Sequence, residues 1–258
     1  RVRCKSCKST SVSPETEAMS IFKNFPMPVN SLIHHIGTRR PQAKLPGIIF
    51  TLVLFAVLLA SAPSARAEGL VIVAFGDSIT AGLGVSEQEA WPAVVQKILA
   101  DKGVAITIVN AGVSGDTTAG GKARLAWSLD GTSPSPGFAI VALGGNDALR
   151  ALTPENSYQN LDAIILALKK RNMPVLLAGM LAPPNLGDDF GKAFQAIYTR
   201  LASKHKILLY PFLLEGVAGD EKLNQHDGIH PTPEGQKIIA RKMVPYIEAL
   251  LSGKTALK

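Results

Sequence analysis

Cysteine is nearly absent from this 258-residue chain: Cys4 and Cys7 stand near its start, and none follows. From Glu68 onward no disulfide can form, so a domain there survives an oxidising compartment on its core alone. Cys4-Lys5-Ser6-Cys7 has no second pair to complete a zinc site, and no cluster of His, Asp and Glu has metal-ligand spacing. No metal and no cofactor is therefore expected. An excess of one charge is also missing where it would matter. The formal net charge is +7, but the first 67 residues carry nine Lys and Arg against two Asp and Glu. The remainder carries eighteen of each sign and is neutral. The basic excess belongs to the leader, and the rest gives no electrostatic reason to expect nucleic acid or an acidic membrane as partner. The apolar stretch Ile48–Ala60, with Thr51 its only polar member, is shorter than the roughly 20 residues a membrane span needs.

What stands around that stretch gives it a meaning. Arg39, Arg40 and Lys44 precede it and Ala65-Arg66-Ala67 follows it. A basic region, a short apolar core and an Ala-x-Ala end describe a secretory signal peptide, cleaved here after Ala67; the alternative is an uncleaved N-terminal anchor. Pro46-Gly47 and Pro63 bracket the run and argue against a buried core helix. Met19 and Met27 are both candidate starts, so residues 1–18 are read as translated upstream sequence. The expected destination is the periplasm or the medium. Residues 68–258 then form one domain, large enough for a sizeable core and too short for two comfortable ones.

From Glu68 apolar runs alternate with amphipathic stretches, without internal repeats. Strands are predicted at Leu70–Phe75, Ala105–Val109, Phe138–Leu143, Val175–Gly179 and Ile207–Tyr210. Helices are predicted at Glu87–Asp101, Thr118–Leu129, Pro154–Lys170, Asp189–Lys204 and Pro233–Leu251. Asn172 stops the third of these helices and Pro174 prevents its resumption. Strands alternating with helices imply right-handed crossovers and a parallel sheet covered on both faces. The predicted fold is a three-layer αβα sandwich on a five-stranded parallel, flavodoxin-like sheet.

Chemistry-bearing residues follow the strands. Gly76-Asp77-Ser78-Ile79-Thr80 ends the first apolar run, placing Ser78 at the carboxyl edge of the sheet, where ligands of open α/β sheets collect. Ser78 is a candidate nucleophile if a base and oxyanion donors exist. After the second strand, Gly115 is expected to open the next helix and offer a backbone N–H; Asp116 or Thr117 as an ordinary cap is the alternative. After the third, Gly144-Gly145 permits a tight turn presenting Asn146, whose neutral amide donates at any pH. In Asp227-Gly228-Ile229-His230-Pro231, an aspartate three residues before a histidine can fix its tautomer, as a general base for serine requires. His226 competes for that role but lies beside Asp227 rather than spaced to meet it. His34 and His35 fall in the leader, and His205 is read as a cation at a polar helix end.

Taken singly, each segment has a bland reading as cap or turn. Together, GDSIT, GVSGDT, LGGNDALR and DGIHP resemble the sequence blocks of SGNH (GDSL-type) hydrolases, in that family's order. The chain is most similar to its small periplasmic branch of multifunctional thioesterases, arylesterases and lysophospholipases, over Glu68–Leu251. Ala193–Tyr198 and Pro211-Phe212 add to the likeness. The resemblance implies Ser78 as nucleophile, His230 as base and Asp227 as its orienter, with Ser78, Gly115 and Asn146 forming the oxyanion hole.

The loop after the fourth strand, Met180 to Leu186, is apolar and stiffened by two prolines. By the same resemblance it borders the acyl site, with Leu181, Pro184, Asn185 and Leu186 as candidate substrate contacts. The expected activity is hydrolysis of short- to medium-chain acyl esters of alcohols or phenols, extending to thioesters and lysophospholipids, by a monomer. An acyltransferase or a carbohydrate acetylesterase would use the same residues. A non-catalytic binding protein on this scaffold would have lost some of them, and all five positions are intact.

Overall fold

The computed structural model of the chain describes residues 70–132 and 134–256. The expected signal peptide, its cleavage after Ala67, Met19, Met27, the two cysteines, His34 and His35 lie outside the described residues.

Five strands form one parallel sheet: β1 (Leu70–Gly76), β2 (Ile106–Gly112), β3 (Phe138–Ala142), β4 (Val175–Ala178) and β5 (Leu208–Tyr210). Their order across the sheet is β2-β1-β3-β4-β5, the expected flavodoxin-like arrangement. The sequence steps outward to β2, then returns past β1 to β3, so the topological switch lies between the carboxyl ends of β1 and β3. There Gly76 is level with Gly112 on one side and Ala142 on the other. Near-continuous burial along β1, β3 and β4 is what a parallel sheet covered on both faces produces.

The covering helices are α2 (Trp91–Asp101), α3 (Thr118–Asp130), α5 (Pro154–Lys170), α6 (Asp188–His205) and α7 (Pro233–Leu251). α2 packs on α7, while α5 packs on both α3 and α6, as right-handed crossovers on opposite faces dictate. Their inward residues, among them Leu161, Ile164, Ile165 and Leu168 of α5, are fully buried against the strands. Asn172 ends α5 in the left-handed region at φ +58°, as expected. The predicted helix Glu87–Asp101 is instead two pieces, a 3-10 turn at Glu87–Glu89 and then α2. Pro92 has no N–H to give and fits only the first turn of a helix, so the α-helix restarts beside it. Two further helices escape the periodicity: α1 (Ser78–Ala81) and α4 (Gly145–Leu149), a single turn each, at the switch point.

Candidate active site

Ser78 is the first residue of α1, with 7% of its surface exposed. Asp77 caps that helix, its Oδ1 accepting the Ile79 N–H at 3.1 Å. A side chain at Gly76 would collide with Thr80 and the Ala142 carbonyl, so only glycine lets α1 fold back onto the strand end. From the far side of the sheet's edge, the fully buried Gln236 of α7 donates to Ile79 O at 3.2 Å and accepts the Trp91 N–H at 2.9 Å. The serine therefore stands on a turn held from both ends.

His230 reaches it from the loop before α7, with Nε2 2.8 Å from Ser78 Oγ. The other ring nitrogen, Nδ1, lies 2.6 Å from Asp227 Oδ2. Asp227 Oδ1 accepts the backbone N–H groups of Ile229 and His230, both at 3.0 Å. Gly228 makes this tight loop possible at φ +74°. The hydrogen bond from the His230 ring, with those two backbone donors, pulls the Asp227 carboxyl down to about 2. An ionised carboxylate only accepts, so Nδ1 is the donor and Nε2 of the neutral ring is free to accept the serine proton. The three-residue spacing thus brings the Asp227 carboxylate against the His230 ring. His226 is exposed and lines a separate hollow with Glu221, Gln225 and Thr232.

The surroundings of the expected oxyanion donors differ from expectation in two places. Gly115 does not open a helix: it occupies a turn at φ +83°, and α3 begins three residues later under a Thr117 cap. The β2 ladder runs on to Gly112, which delays the helix and leaves Gly115 in the connecting turn. Its N–H makes no hydrogen bond among the described residues. Asn146 lies on α4 rather than in an open turn, half-buried, and one of its amide hydrogens goes to Asp116 O at 2.9 Å. The other hydrogen remains available. Beneath it, the buried Asp147 accepts from Thr118 N, Thr118 Oγ1 and Ser157 Oγ, pinning α4 to α3 and α5. At the start of a helix, first-turn N–H groups have no partner within the helix, which leaves that of Ser78 free in the same way.

A cleft of about 450 Å³ opens beside these groups. Ile79, Leu149, Met180, Phe212, Leu214 and Ile229 line it, together with Leu181 and Pro184 from the expected loop. Asn185 and Leu186 do not line it: the 3-10 turn Pro184–Leu186 carries them toward the start of α6. Most of the apolar lining was not predicted, although Ile79 and Ile229 are direct neighbours of Ser78 and His230. His205 is a further correction. It ends α6 but is buried, with Nε2 2.6 Å from Asp162 Oδ1, which also takes Lys204 Nζ at 2.7 Å. Among the described residues no group of three or more His, Cys, Asp or Glu could hold a metal ion.

Residues 74–238 match the family described as GDSL-like Lipase/Acylhydrolase. The chain is 41% identical over 187 residues to Esterase TesA of Pseudomonas aeruginosa, covering 72% of this chain and 91% of that one. It is 39% identical over 199 residues to Thioesterase 1/protease 1/lysophospholipase L1 of Escherichia coli, covering 77% and 92%. The crystal structure of AlinE4, an SGNH-hydrolase family esterase, superposes with a TM-score of 0.61 at 44% identity, over 72% of this chain and 99% of that one.

Proposed function

Because this chain belongs to the GDSL-like lipase/acylhydrolase (SGNH) family of ester hydrolases, we propose that it is an exported serine esterase acting through Ser78, His230 and Asp227. The observation that carries this reading is the hydrogen-bonded line from Ser78 Oγ through both nitrogens of His230 to Asp227. Ser78 Oγ attacks the ester carbonyl carbon while its proton passes to His230 Nε2. Asp227, ionised throughout, keeps Nδ1 protonated and stabilises the imidazolium. The carbonyl oxygen becomes an oxyanion between the N–H groups of Ser78 and Gly115 and Nδ2 of Asn146, each such donor contributing about 3 kcal/mol. Collapse expels the alcohol or thiol, which takes its proton from His230 and leaves the acyl group on Ser78. Water, deprotonated by His230, then repeats the sequence and frees the acid.

The apolar cleft favours a short to medium acyl chain over a sugar, since among the described residues Phe212 is its only aromatic wall. The substrates are aryl and alkyl esters, with thioesters and lysophospholipids as extensions of the same chemistry. All five functional positions come from one chain, so a monomer suffices as the active unit. The leader is removed after Ala67 and residues 68–258 work in the periplasm or medium. No helix among the described residues is long and apolar enough to cross a membrane.

The test is hydrolysis of p-nitrophenyl acetate, butyrate, octanoate and palmitate by the protein and by Ser78→Ala. Turnover should peak within the first three esters, and the variant should lose about 10⁴–10⁶ in kcat. Equal rates in both proteins would defeat the reading.

A further inference from the structure

The three proposed oxyanion donors sit on three separate segments, the start of α1, the turn after β2 and α4, and something must hold those segments in register. Arg124 lies on α3, its side chain leaning toward the N-terminal end of that helix as helical side chains do. Only 15% of it is exposed. Its Nε pairs with Asp116 Oδ2 at 2.5 Å, Nη2 donates to Gly76 O at 2.9 Å, and Nη1 donates to Ser128 Oγ at 3.0 Å. The guanidinium carbon lies 4.2 Å over the Phe75 ring. Gly76 stands two residues before Ser78, and its carbonyl also takes the Val113 N–H at 3.0 Å. Asp116 follows Gly115, and its own carbonyl holds the Asn146 amide.

One planar fork therefore joins the end of β1 to the loop after β2 and, through Asp116, to α4. We propose that Arg124 is a positioning residue of the esterase reaction, clamping the segments that carry Ser78, Gly115 and Asn146 so that their donors converge on one oxyanion. This rests on the serine-esterase reading above. A buried ion pair by itself is weak evidence of stabilisation. What distinguishes this one is that its anchors Gly76 and Asp116 stand within two residues of Ser78 and Gly115 along the chain. Lysine cannot replace it, because a single ammonium lacks the rigid fork that reaches Asp116 and Gly76 together.

The experiment compares Arg124→Met, Arg124→Lys and Ser78→Ala with the unaltered protein. It reads kcat, KM and the pH profile, together with the affinity of an alkyl boronic acid, whose tetrahedral adduct on Ser78 mimics the oxyanion. Arg124→Met should lose about 10²-fold in kcat, the typical effect of one missing or misplaced donor. Its KM should stay within about threefold and the pH midpoint should not move, because the triad is untouched, while boronate affinity falls in step with kcat/KM. Arg124→Lys keeps the charge beside Asp116 and so keeps the fold if the methionine variant does not, yet it should also lose at least about tenfold in kcat. Near-normal kcat in either folded variant would overturn the proposal, as would a kcat loss with unchanged boronate affinity. Activity retained in Ser78→Ala would refute the serine mechanism itself. A dead Ser78→Ala beside a fully active Arg124→Met would refute the clamp alone.

Discussion

Asp77, the cap of the helix that begins at Ser78, has 1% of its surface exposed. Burial pushes its carboxyl up from 3.8 to about 6, against the opposing pull of the Ile79 N–H and of charge on His230. The folded protein thus holds this proton more tightly than the unfolded chain does. Stability from this group is complete below the unfolded value and is lost as pH rises from about 4 through about 6. A displacement of that size is worth about 3 kcal/mol, all of it acting against the fold above about pH 7. Asp77→Asn keeps an oxygen to accept the Ile79 N–H and removes the charge. The variant should match the parent at pH 4 and exceed it by up to about 3 kcal/mol at pH 8. In a domain of this size that is about 6–12 °C in Tm. Urea unfolding of both proteins at each pH from 4 to 8 reads the difference directly, because titrations common to the two cancel. A difference that does not vary with pH, or an asparagine variant less stable at pH 8, would refute the reasoning.

Asp227→Asn should lower kcat by about 10⁴ by favouring the wrong histidine tautomer; a folded variant with normal turnover contradicts that role. Log kcat/KM should climb with pH on the acid side, with no limb from Asp227, whose carboxyl is held at about 2. A profile level from acid to alkali would contradict a histidine base. Gly144→Ala should cost at least about 2 kcal/mol in urea unfolding, because Gly144 holds φ +122° and a Cβ there would strike the Tyr198 hydroxyl. Ala182→Phe places bulk in the acyl cleft and should lower kcat/KM for the octanoyl ester at least about tenfold relative to the acetyl ester. An unchanged ratio would move the acyl site elsewhere.

The sheet was legible because buried parallel strands are nearly continuous apolar runs, and Val71–Phe75 and Ala139–Ala142 are just that. Asp227 and His230 were legible because their contact is local, three residues apart. Helices α1 and α4 were not, since one turn shows no period, and both form only where Gly76 and Gly144 let the chain fold back on the sheet. The cleft walls Phe212 and Leu214 come from a loop after β5 that meets the site only through the sheet order. Long-range polar partners left no trace either. Arg124 meets Gly76 across 48 positions and His205 meets Asp162 across 43, and nothing local in the sequence marks either pair.

The most direct test of the account is the stoichiometry and site of reaction with a p-nitrophenyl alkylphosphonate. The account predicts one p-nitrophenolate released per chain, one phosphonyl group located by peptide mass on Ser78, and ester hydrolysis lost in proportion. Modification elsewhere, or a Ser78 left unmodified while esters are still turned over, would contradict it.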